Sequence, residues 1–74
     1  MNKQTHYHDA LRDLPPPGAG YHGAILGIAN LAAGAGISPE QAVDDIRRHT
    51  KPGTRRLTPR EIEDAVAKAY RDIG

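Results

Sequence analysis

Residues 20–40 read GYHGAILGIANLAAGAGISPE, and their reading decides the fold. Ile25, Ile28, Ala29 and Ala32 recur at helical spacing and form one face. Ala24, Leu26, Leu31 and Ala33 lie on the other faces. Asn30 is the one clearly polar residue between Gly23 and Gly36. A helix apolar all round belongs at the centre of a bundle. Gly23 and Gly27 stand four apart, where they could give a neighbouring helix close approach. Each glycine weakens the helix by about 1 kcal/mol relative to alanine, so packing must compensate. Gly34 or Gly36 is placed to end it in a left-handed C-cap.

Just beyond lies ISPEQAVDDI from Ile37, echoed by LTPREIEDAV from Leu57. In each, a hydroxyl residue precedes proline, with Gln or Glu three positions after the hydroxyl. Ser38 and Thr58 read as N-caps, Pro39 and Pro59 as first helical positions. Gln41 and Glu61 complete capping boxes, and Leu57 with Ile62 is placed for a hydrophobic staple. The third helix is expected over residues 39–49, with Ala42, Val43 and Ile46 inward. The fourth is expected over 59–72, with Ile62, Ala65, Val66, Ala69, Tyr70 and Ile73 inward. Asp64 and Lys68 face outward at a favourable i, i+4 spacing.

Upstream, Tyr7, Ala10, Leu11 and Leu14 mark one face of a short helix over residues 4–14. Pro15, Pro16 and Pro17 must end it, since proline lacks the N–H and restricts the residue before it. The run PPPGAG reads as a stiff turn, with a polyproline ligand as the other reading. Tyr21 and His22 follow glycines at a helix start, a good place for an exposed contact. No segment alternates with period two. The expected fold is all-α, a compact bundle of three main helices plus a short N-terminal helix. It is a single domain over residues 1–74, divided into the N-terminal helix and Pro/Gly loop (1–19) and the helical core (20–74).

At 74 residues the chain holds one domain. A domain this small buries only about 60% of its unfolded surface, so its core is thin. A helix as apolar as the second needs cover on all sides, and a second copy of the chain is one candidate for supplying it. There is no cysteine, which excludes disulfides and thiolate metal sites. No apolar run reaches the ~18 residues of a membrane span. The N-terminus shows no hydrophobic stretch of signal-peptide type, so the expectation is a soluble protein of a bacterial cytoplasm.

Chemistry is sparse. Ser38 is the single serine and already serves as a cap, and no nucleophile, base and orienting group assemble, so no enzyme activity is expected. His6 and His8 form an H-x-H pair whose members point to different sides of a helix, while His22 and His49 stand alone. No metal site, cofactor or small-molecule substrate is expected.

Charge is the informative feature. Ten Lys and Arg face nine Asp and Glu, a net charge of +1, yet six of the ten fall between Arg47 and Arg60 before the next acid. Arg47, Arg48 and His49 complement the negative end of the third helix. Lys51, Arg55 and Arg56 occupy a loop turned by Pro52 and Gly53. Arg60 lies in the first turn of the fourth helix, where a cation is mildly unfavourable. These arginines lean toward an anionic partner, and a helix N-terminus offers N–H groups suited to phosphate. No aromatic is interleaved for base stacking. Phosphate contact and a solvated loop both remain open at this level.

From Gly20 onward the order of features resembles the primase C-terminal helical domain, a module of phage and plasmid primase-helicases. Gly20-Tyr21-His22 opening a helix, the small-aliphatic helix from Ala24 to Ala33, Gly36-Ile37-Ser38-Pro39-Glu40, and Leu57-Thr58-Pro59-Arg60-Glu61-Ile62 carry the likeness, with Val66 and Tyr70 closing it. It spans about 55 residues and rests mostly on capping and core positions. The family often has a polar residue after the opening glycine, where this chain has Tyr21-His22-Gly23, and the expectation is a module standing alone, without a polymerase or helicase domain. The resemblance implies a mobile-element origin and two candidate roles. In one, the chain touches DNA, RNA or a nucleoprotein complex through Arg47, Arg48, Lys51, Arg55, Arg56 and Arg60. In the other, it is a phage-encoded inhibitor of a host defence machine, of anti-CRISPR type. That protein would bind through the same arginines, or through Tyr21, His22, Asp44, Asp45, Glu63 and Asp64.

Overall fold

A computed structural model describes residues 3–18, 20–53, 58 and 60–73, with the backbone alone at Ile73. Four helices follow one another: α1 (Lys3–Arg12), α2 (Tyr21–Gly34), α3 (Pro39–His49) and α4 (Glu61–Ile73). No strand occurs among the described residues. The fold is the expected all-α bundle. Helix α2 touches each of the others and packs most extensively against α4, while α1 and α4 do not meet. Helix α3 touches all three.

The core follows the sequence periodicity. Tyr7, Leu11 and Leu14 meet Ile25, Ile28, Ala29 and Ala32 of α2, then Ala42 and Ile46 of α3, and Ile62, Ala65, Val66 and Ala69 of α4. Ala10, Val43 and Tyr70 sit half-buried at its margin. Burial of each large aliphatic contributes about 1.5–3 kcal/mol.

Helix boundaries show how local signals act. The C-terminus of α2 is a Schellman motif. Gly36 is left-handed at φ 77°, its N–H donates to Ala33 O at 3.3 Å, and Ile37 N–H donates to Ala32 O at 3.0 Å. Ser38 then caps α3, its Oγ accepting from Gln41 N–H at 3.2 Å. The reciprocal half of the expected capping box is absent, because the Gln41 amide instead donates to Asp45 Oδ1 at 2.7 Å. Helix α4 begins at Glu61, two residues later than expected. The Thr58 carbonyl accepts from Glu61 N–H at 3.2 Å, closing a turn before the helix, and Arg60 O accepts the first helical bond from Asp64 N–H at 2.8 Å. Pro59 and the expected Leu57–Ile62 staple involve positions outside the described residues.

Two packing expectations are corrected. Gly23 and Gly27 give no helix of this chain close approach: both are exposed, and a Cβ built on either meets nothing within 4 Å. The "apolar all round" pattern of α2 arose partly from glycines, which have no side chain to bury. Lys68 pairs with Asp72 at 3.1 Å rather than with Asp64. No described helix is long and apolar enough to cross a membrane.

Candidate nucleic-acid interface

The basic run begins on the last turn of α3. Thr50 ends the helix, its N–H donating to Arg47 O at 3.3 Å and its Oγ1 donating to Ile46 O at 2.7 Å. The Thr50 proton being committed there, the Tyr21 hydroxyl donates to Thr50 Oγ1, 2.8 Å away. Tyr21 is therefore a core residue, 1% exposed, and not the exposed contact expected from its place after Gly20. Its ring reaches under the end of α3 and ties the start of α2 to it.

Beyond Thr50, Lys51, Pro52 and Gly53 run exposed over the surface. Gly53 lies directly on the backbone of Pro17, and a Cβ there would collide with the Pro17 carbonyl oxygen. The Pro/Gly turn and the start of the basic loop, 36 residues apart at Pro17 and Gly53, thus dock on one another. His22, exposed on the first turn of α2, places Nδ1 3.8 Å from Glu61 Oε2, within ion-pair reach when the imidazole is protonated. One end of the bundle therefore gathers the PPPG turn, the N-terminus of α2, the start of the basic loop and the N-terminus of α4.

The six basic residues singled out from the sequence divide. Arg47 pairs with Glu63 at 2.9 Å, linking α3 to α4. Arg48 pairs with Asp45 at 2.6 Å and Asp44 at 3.2 Å. These two are thereby partly neutralised within the fold. Lys51 and Arg60 are exposed and form no ion pair among the described residues. Arg55 and Arg56 lie outside the described residues.

The acids divide as well. Asp45, expected as an exposed protein contact, is only 8% exposed. It accepts from Tyr7 Oη at 2.8 Å, from Gln41 and from Arg48. Burial alone would push its pKa up; the three hydrogen bonds and the guanidinium charge outweigh that and hold it below the ordinary value. Tyr7 shifts the other way, raised by burial and then by the Asp45 carboxylate. Asp45 is thus the pin between α1 and α3. Its backbone carbonyl also accepts from His49 Nδ1 at 2.8 Å. Asp44 and Glu63 are held in the ion pairs above. Asp64 remains exposed, beside Glu40 in a shallow groove between α3 and α4 floored by Val43 and Val66.

Sequence reasoning missed the Tyr7–Asp45 pair. The available signal was a lone acid on the inward side of α3, next to Ile46. His6 and His8 are exposed on α1, and no group of three or more His, Cys, Asp or Glu among the described residues is gathered to hold a metal ion. Compared with protein-family models, curated proteins and solved structures, the chain matches none.

Proposed function

We propose that this protein is a non-enzymatic binding module that contacts nucleic acid, alone or within a nucleoprotein complex, through the basic loop between α3 and α4. The observation that carries the reading is the docking of Gly53 on Pro17, which fixes where the loop leaves the bundle. Lys51, just past the C-terminus of α3, and Arg60, just before the N-terminus of α4, then flank the loop as exposed cations. Phosphates favour such a setting because free N–H groups and the helix dipole add to the side-chain charge. Arg55 and Arg56, between those two in sequence, supply the remaining charge. The likeness to the primase C-terminal helical domain points the same way and suggests a mobile-element setting.

The contact is to the backbone of the nucleic acid rather than to base sequence, since cations without interleaved aromatics position a strand but do not read it. Lys51, Arg55, Arg56 and Arg60 together neutralise about four phosphates, so log K against log salt should fall on duplex DNA with a slope near −3.6. Fluorescence anisotropy with single- and double-stranded oligonucleotides at low salt tests this. The joint Arg55→Ala, Arg56→Ala variant should lose most of the affinity while keeping its helical circular dichroism. A flat titration on every oligonucleotide removes the reading and leaves the inhibitor role, for which binding to a protein surface is the measurement.

A further inference from the structure

The outer face of α2 is an unpartnered apolar surface, and it is built to fit itself. Gly23 and Gly27 are exposed, Leu31 is half-buried, and with Ala10 and Pro15 they line an open groove of about 320 Å³. Between Gly23 and Gly36 the helix has no ionisable residue. The face can therefore be covered without stranding a charge. We infer that this groove is the interface of a homodimer, in which α2 packs antiparallel on α2 of a second copy about a two-fold axis at Gly27.

Two independent features select a second copy over another partner. The first is shape. Leu31 and Gly23 lie four residues either side of Gly27, about 6 Å along the axis in opposite directions. A two-fold at Gly27 sets Leu31 of each copy over Gly23 of the other, a side chain over a space where even a Cβ would meet nothing. Gly27 against Gly27 lets the two helices approach closely.

The second feature is charge. Helix α1 runs antiparallel beside α2, with the Lys3 side chain against Gly34 at one end and Asp13 lining the groove at the Gly23 end. The same two-fold carries Lys3 of each copy toward Asp13 of the other. Neither residue has an ion-pair partner among the described residues. One axis thus satisfies both shape and charge, as an isologous interface requires. The inference does not depend on the nucleic-acid reading, because the groove is lined by α1, the residues just after it and α2, and involves no residue of the basic loop.

The absence of cysteine makes the test direct. Gly27→Cys places a single thiol on the axis, in space that is open in the monomer. Mild oxidation should convert it to a covalent dimer, since thiols facing across a close two-fold meet disulfide geometry. Lys68→Cys, on the exposed side of α4, should remain largely monomeric under the same conditions. In sedimentation equilibrium the unsubstituted protein should show a concentration-dependent monomer–dimer distribution, and Gly27→Asp should be monomeric with unchanged circular dichroism. The inference is overturned if the unsubstituted protein stays monomeric up to about 1 mM, if Gly27→Asp associates as well as the parent, or if Lys68→Cys crosslinks as readily as Gly27→Cys.

Discussion

Asp45 shows most clearly how a residue's role depends on where the chain takes it. On the sequence it is one of two adjacent acids on an amphipathic helix. In the fold it is the buried acceptor for Tyr7, with Gln41 and Arg48 completing its bonds. Removing the phenol hydroxyl in Tyr7→Phe should cost about 1.5 kcal/mol, the lower end for a bond to a charged group, because two donors remain. Urea unfolding measures it. The pH dependence has a definite sign. Asp45 titrates lower when folded than its ordinary 3.8, so its contribution is present above that value and is lost as pH falls through the folded pKa. Stability should decline below about pH 4, and Asp45→Asn should flatten that part of the decline while lowering stability at neutral pH. Gly53 is the other decisive residue. Gly53→Ala forces the basic loop off Pro17, and a thermal melt should register a loss of about 1–3 kcal/mol, as for overpacking.

Among the elements, the α2–α3 junction was legible because its signals are local. Gly36 supplies the left-handed residue and Ser38-Pro39 restarts the helix within three positions. Gly36→Ala should destabilise by about 1–2 kcal/mol, the strain of a Cβ at positive φ, and should be readable as a lowered urea midpoint. The same S/T-P-x-E/Q grammar misplaced the start of α4, since Thr58 joins a turn before the helix proper. Tyr21 and Asp45 were misread for a different reason. Each is defined by a partner on another helix or a neighbouring turn, and periodicity within one helix carries no information about that partner. Lys51 and Arg60 are exposed and without an ion pair among the described residues.

For the whole molecule, the four helices leave α2 between α1 and α4 with one side uncovered. The expectation that α2 would need more cover than three neighbours supply has a physical counterpart in that open groove. The nucleic-acid reading and the dimer reading occupy different faces, so they separate experimentally. Raising salt should weaken oligonucleotide binding steeply while leaving an association dominated by apolar contact much less affected. A joint Lys51→Ala, Arg60→Ala variant should lose oligonucleotide affinity with its sedimentation unchanged.

The bond between Tyr7 and Asp45 spans 38 positions of the chain. During synthesis at about 5–20 residues per second, Tyr7 is added roughly 2–8 seconds before its acceptor exists. Through that interval the Tyr7 hydroxyl has only water to bond, and α1 can lean on α2 but has no α3 to lock it. The last polar fastening of the N-terminal helix is therefore made late in the life of the nascent chain, when α3 emerges and brings the carboxylate to it.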